Sequence, residues 1–147
     1  MRFKQGSIGR VFLLRFDEGE DVLSGLKKFA ASKKIRAAWL QMLGATGKTE
    51  LVSADDPKIH SILKLPYASP REIVGTGNIL WKKEGRKDVP VIHLHAALGQ
   101  RGNATKTGCV RENMVAYAFV EVLVVELKGL GVGRIKDDNT GFFKINV

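Results

Sequence analysis

Residues 116–127, AYAFVEVLVVEL, hold four valines, two leucines, a phenylalanine and a tyrosine, with Glu121 and Glu126 as the only charges. β-Branched and aromatic residues at this density favour a pleated, half-buried strand over a helix. This is the strongest strand signal in the chain, and it obliges the rest of the sequence to supply pairing partners and a cover. Partners are plentiful. GRVFLLRF (9–16), RAAWLQMLGA (36–45), GKTELVS (47–53), KIHSILKLP (58–66), REIVGTGNILWKK (71–83), VPVIHLHAAL (89–98) and KTGCV (106–110) all read as extended. GLGVGRI and GFFKINV supply two short final strands around KDDNT. Gly44 and Gly47 mark a bulge or bend within one extended region, and Gly75 and Gly77 allow close backbone approach. Pro66 and Pro70 bracket a short connection, and GRKD (85–88) reads as a turn.

One segment is helical. Val22, Leu26, Phe29 and Ala30 recur at helical spacing, joined by Leu23, which predicts a helix over 20–32. Asp17, Glu18, Glu20 and Asp21 crowd its start and lysines its end, a polarity that suits the helix dipole. Residues 113–118 show no clear period and leave a helix open there. Many strands, one helix and short connections predict an α+β fold, a largely antiparallel sheet with a packed helix. The 147 residues and 44% apolar content suit one domain, 1–147. VPVIHLHAAL is nearly continuous in apolar character and predicts burial on both faces. Glu126 reads as an ordinary surface acid.

The basic N-terminal stretch is broken by Arg10 and Arg15 and lacks a cleavage site, so it does not read as a signal peptide. No apolar run is long enough for a transmembrane helix. A single cysteine excludes an internal disulfide framework and fits a reducing, cytoplasmic setting. The net charge of +9 favours anionic partners, whether nucleic acid, an anionic surface or a small anionic ligand, with simple solvation of the surface as the alternative. Lys82, Lys83, Arg86 and Lys87, in WKKEGRKD, are the candidate nucleic-acid contacts.

PVIHLHAA (90–97) holds two of the three histidines. In a strand, i and i+2 share a face, so His93 and His95 converge. If residues 99–105 form a hairpin connection centred near Gly102, Cys109 falls opposite His95 and on the same face. Two imidazoles and a thiolate suit zinc with an open fourth position, and cobalt or iron is chemically admissible. His60 has no spacing that argues for it. Against the metal stands packing: a His-x-His pair in a strand has low specificity, and a lone cysteine is commonly a small buried apolar residue. Glu121, set among apolar neighbours, is the candidate to orient a histidine or to act as a general base, with an edge-strand surface role as the alternative. No phosphate-binding P-loop, dinucleotide fingerprint or serine nucleophile elbow is present.

The order of these segments resembles the PPC domain family, also called domain of unknown function 296 or PD1-like proteins, a group named for DNA binding. GEDVLSGLKKFAASKKIRAAWLQMLGATGKTELV is similar to the family's helix and first long hairpin, and REIVGTGNI to its central strand. PVIHLHAAL is similar to its histidine strand, and TGCV with VEV to the turn and strand that follow. The resemblance is to the stand-alone prokaryotic type and covers nearly the whole chain. It implies a compact antiparallel α/β domain, a homotrimer, and a metal held by paired histidines and a third. Those positions are His93, His95 and Cys109 here, with cysteine for the family's third histidine and Thr107 for a family glycine. Glu121 matches a glutamate beside that site. Plant relatives carry an AT-hook, and this sequence has no such element. DNA association would therefore rest on bulk positive charge and backbone contact. Three functions stay open: a DNA-associated oligomer, a metal-dependent enzyme or small-molecule binder, and a trimerisation module.

Overall fold

The apolar run that dominates the sequence lies within one 24-residue strand, and the sheet forms around it. The computed structural model describes residues 1–56, 61–67, 69–99 and 104–147. In chain order these form β1 (Ser7–Asp17), α1 (Val22–Ser32), β2 (Ala38–Asp56), β3 (Ser61–Tyr67) and β4 (Arg71–Glu84). Next come β5 (Lys87–Gly99), β6 (Thr105–Lys128), β7 (Arg134–Lys136) and β8 (Phe143–Ile145). Every strand pairing is antiparallel. The large sheet runs β1-β6-β5-β4-β2-β3, and β6 also pairs with β2. That extra pairing closes β2, β4, β5 and β6 into a ring. β7 and β8 form a separate two-stranded hairpin. The fold is thus mostly antiparallel sheet with one short helix.

Side-chain alternation sorts the faces. Leu40 and Met42 on β2, Ile73 and Ile79 on β4, and Leu94, Ala96 and Leu98 on β5 are buried in one cluster with Val120, Val122 and Val124 of β6. α1 adds Val22, Leu23, Leu26 and Ala30 to the same cluster. Burying each large aliphatic side chain contributes about 1.5–3 kcal/mol. The opposite face of β5 is not buried: His95 is exposed and His93 half-exposed. The expectation of burial on both faces of residues 89–98 is therefore corrected, because the core takes only one face, Leu94, Ala96 and Leu98 with Ile92 packed at its edge.

Residues 113–118 are strand, not helix. Their unclear period comes from irregular backbone, with Asn113 at φ 55° and Ala118 at φ 58°. Opposite them Gly44 has φ 138°, and the β2–β6 register shifts between Gly44 and Ala45. A Cβ at Gly44 would meet the Val120 Cα at 2.8 Å, so the glycine is required by close approach as well as by dihedral angle. Pro66 sits inside β3, paired with Glu50, so the connection to β4 starts later than expected. Residues 57–60, including His60, and 100–103, in the centre of the expected hairpin connection, lie outside the described residues.

The helix begins where Asp21 Oδ1 accepts from Ser24 N at 2.6 Å, an N-cap. No acidic residue lies in the first helical turn and no basic one in the last. The expected dipole pairing therefore reduces to this cap. Gly25, costly in a helix interior, has a packing reason: a Cβ there would collide with the Phe16 ring. The helix C-terminus gains a cation from outside, since Arg10 Nη2 donates to Lys33 O at 2.9 Å. No described helix is long and apolar enough to cross a membrane.

Glu126 is buried, at 6% exposure, which corrects its reading as a surface acid. It lies five residues from Glu121, an odd step, so it points to the face opposite Glu121. Arg10 Nε and Nη2 each donate to its carboxylate at 2.8 Å, and Arg10 N donates at 3.1 Å. These bonds hold the Glu126 pKa down at about 2, from an ordinary 4.5. A depressed carboxylate contributes stability that is present above pH 4.5 and lost as pH falls through about 2. Thermal unfolding followed by circular dichroism between pH 7 and pH 2 tests this. Glu126→Gln is expected to lower Tm at neutral pH by roughly 2–4 °C and to flatten the acid limb. An unchanged acid limb would assign the loss to other carboxylates.

Candidate metal centre

β5 presents His93 and His95 on the face turned away from the helix, and β6 brings Cys109 beside them. In register, His95 pairs with Cys109, the pairing that a connection symmetric about Gly102 requires. Across the other edge of β5, Asn78 pairs with His93 and Thr76 with His95. Two glycines of β4 let β5 approach this closely: a Cβ at Gly77 would lie 2.8 Å from the Leu94 Cα, and one at Gly75 would lie 3.1 Å from His95 O.

One potential ligand atom from each of His93, His95 and Cys109 lies within 4.8 Å of the others. The two imidazoles meet edge to face, centroids 5.0 Å apart, with Nε2 facing Nε2 at 3.2 Å. Two nitrogens bound tetrahedrally at zinc distances lie about 3.3 Å apart. The histidine pair is thus spaced for one shared ion, and the buried Cys109 offers a sulfur within 4.8 Å of both rings' ligand atoms. The residues fit a divalent d-block cation on geometry and on donor chemistry.

The surroundings are cationic. Arg134 of β7 reaches over the site and is 8% exposed. Its Nη2 is 3.0 Å from His93 Nδ1 and donates to Asn78 Oδ1 at 2.6 Å, while Nη1 donates to Phe143 O at 3.0 Å. A donor at Nδ1 leaves the proton of a neutral His93 on Nε2, where an ion would replace it. Burial, then Arg134, His95 and Arg111, lower the His93 pKa to about 4, so the ring is neutral at pH 7 and ready to ligate. Burial pushes the Cys109 thiol up, against the pull of Arg111 and Arg134. The Arg134 pKa is lowered, chiefly by burial.

Glu121 is not in the cluster. It lies opposite Arg15 on β1 and Leu43 on β2, and among the described residues it bonds neither histidine ring. It does line a cleft of about 880 Å³ that His95 and Cys109 also border, with Gln41, Leu43 and Leu123. The group facing His93 Nδ1 is a guanidinium, where a ligating imidazole ordinarily meets a carboxylate or carbonyl. Arg134, Arg111 and Asn78 were missed in the sequence. Asn78 was findable, since a strand paired with β5 places its alternate residues beside the histidines. Arg134, 41 residues from His93, carried no signal.

The four basic residues of residues 82–87 sit around the β4–β5 turn at Gly85 and Arg86. Lys82 pairs with Glu84 at 2.5 Å and lies over the Phe143 ring at 4.9 Å. Lys83 faces Asp88 across the hairpin, and Lys87 faces Glu84. Lys82 and Lys83 also border a cleft of about 1000 Å³ with Lys34, Arg36, Lys128 and Lys136. Arg36 stacks 4.4 Å over Trp81 and pairs with Asp88 at 2.8 Å.

Residues 3–128 match the model of the Plants and Prokaryotes Conserved (PCC) domain. The chain belongs to the PCC domain family. Solved structures share the fold. A metal-containing protein from Archaeoglobus fulgidus is 28% identical, with a TM-score of 0.85 and full coverage of both chains. A plant- and prokaryote-conserved (PPC) protein from Pyrococcus horikoshii is 24% identical, with a TM-score of 0.85, covering 100% of this chain and 98% of its own. A Ralstonia eutropha structure named "Putative DNA-binding protein" is 18% identical, with a TM-score of 0.77, over 92% and 90% of the two chains. No curated protein matches. In this PCC-domain chain the family match includes His93, His95, Cys109 and Arg111 but stops before the β7–β8 hairpin that delivers Arg134.

Proposed function

We propose that this PCC-domain protein is a metal-binding protein whose His93, His95 and Cys109 hold one divalent cation beside a small-molecule cleft. The 3.2 Å separation of the two Nε2 atoms carries this reading. Support comes from the Archaeoglobus fulgidus relative, which is metal-containing. Two nitrogens and a sulfur favour zinc among abundant divalent ions. Such an ion supplies Lewis acidity toward an oxygen of a ligand. The chain's own residues orient the site: Arg134 fixes the His93 ring, and the β5–β6 register sets the His95–Cys109 spacing. Protein purified without tag or chelator is expected to contain about one zinc per chain by elemental analysis, with most of it lost in Cys109→Ala and in His95→Ala. Absence of metal after zinc supply and removal of excess would sink the site.

We also propose a homotrimer. Leu13, Leu43, Trp39 and Val74 are 75%, 53%, 50% and 61% exposed on the face that bears the histidines, an apolar area that asks for cover. Further copies of the chain suit it, in line with the assembly that the family resemblance implies. Light scattering is expected to give about three times the 16.2 kDa chain mass. Leu13→Glu is expected to shift that mass toward the single chain. A single-chain mass at micromolar concentration would refute the trimer.

DNA association is the second reading, favoured by the cation-lined cleft at Lys34, Lys83, Lys128 and Lys136. The contacts would be to phosphates and carry no sequence preference. Duplex affinity is expected to fall steeply between about 50 and 200 mM salt, and the salt slope to drop by about one in each of Lys83→Gln and Lys128→Gln. Fluorescence anisotropy with unrelated duplexes measures both. Slopes unchanged in the variants would remove DNA from this cleft.

A further inference from the structure

We propose that the open side of the His93–His95–Cys109 centre binds a small oxyanion, a phosphate or carboxylate group on a small molecule, with Arg134 and Arg111 as its counter-charges. The proposal rests on the metal-site reading and names its ligand class. A cleft of about 720 Å³ opens on His93, His95 and Cys109 beneath Gly141, Phe142 and Phe143 of the C-terminal hairpin. Among the described residues its charged lining is Lys82, Arg111 and Arg134, with no carboxylate. Lys82 is paired with Glu84. Among the described residues, Arg111 and Arg134 have no carboxylate at ion-pair distance.

Arg134 is the decisive group. A guanidinium that is nine-tenths buried ordinarily carries a carboxylate partner, because an uncompensated charge costs several kcal/mol to desolvate. Here all its acceptors, Phe143 O, Asn78 Oδ1 and His93 Nδ1, are uncharged, and its Nε hydrogen is buried with no acceptor. A divalent ion with one thiolate would add a further formal positive charge to the same cleft. No carboxylate among the described residues lies in the cleft to offset that sum, and an oxyanion entering the open position does. The cleft has the size of small-molecule sites and is capped by the hairpin, which favours a compact ligand over a polymer. Entry is electrostatically guided, since the larger cation-lined cleft shares Lys82, Arg134 and Phe143 with this one.

The test uses the whole chain loaded with cobalt(II), whose visible spectrum reports ligation. Metal uptake is measured first, then inorganic phosphate and acetate are titrated separately in chloride buffer. Saturable spectral change is expected with at least one of them, and the tighter of the two identifies the ligand group. Binding is expected to weaken tenfold or more in Arg111→Gln at unchanged cobalt stoichiometry and, per cobalt bound, in Arg134→Gln, with partial recovery in Arg134→Lys. Arg111 is exposed, so its variant stays informative if Arg134→Gln disturbs the hairpin. Failure to take up cobalt would overturn the metal reading and this proposal together. Normal uptake with spectra unmoved by either anion would overturn the anion proposal alone. Anion binding equally tight in both glutamine variants would reduce Arg134 to a clasp for the hairpin.

Discussion

The whole arrangement depends on β6. This one strand is hydrogen-bonded to β5 at its start, to β2 along its length and to β1 at its end. A strand shared by three neighbours must bend, and the bends fall where Ala118 and Asn113 take positive φ and where Gly44 lets the β2 backbone approach. Side-chain alternation then does the sorting. Val110, Val120, Val122 and Val124 close the core. Cys109, one residue from Val110, is turned to the other face and meets His95. A one-residue slip in the β5–β6 register would send the thiol into the core and separate the ligands.

The site is therefore a by-product of pairing in two dimensions. Period-2 geometry along β5 brings His93 and His95 together, and lateral register adds Cys109 and Asn78. The third dimension comes from outside the family-matched segment, through the β7–β8 hairpin that lays Arg134 over the His93 ring. The sheet supplies the candidate ligands, held by rigid backbone. The hairpin supplies charge and a roof. Zinc sites accept cysteine as well as histidine because thiolate is a good ligand; with an ion bound, Cys109 would place a negative charge beside two arginines.

Much of this was legible from the sequence. The strands, the single helix and the His95–Cys109 pairing follow from local rules: i, i+2 faces and a connection symmetric about one glycine. What failed was whatever depended on a partner distant in sequence. Glu126 resembled a solvent acid because Arg10, 116 residues away, could not be seen to wait for it. VPVIHLHAAL looked doubly buried because valine and alanine were counted without knowing that the core lies on one side. Gly25 looked like a weakness in the helix until Phe16 was placed against it. Arg134 sits in a glycine-rich stretch with nothing to mark it. The assignments that succeeded are those in which chain connectivity fixes geometry. The missed ones are contacts that the closed sheet creates.

Two arginines, Arg10 half-exposed and Arg134 buried, make the contrast that matters for function. Arg10 is met by both oxygens of the buried Glu126 and by a helix C-terminal carbonyl, a network whose charges balance within the chain and that serves stability. Arg134 is more deeply buried, with neutral acceptors only, and one of them is a histidine ring of the candidate metal centre. The desolvation cost is small for the half-exposed Arg10 and larger for the buried Arg134, yet among the described residues only Arg10 has a carboxylate partner. Among the described residues the fold gives a bidentate carboxylate to the exposed guanidinium and only neutral acceptors to the buried one, an asymmetry that an anion from solution would balance.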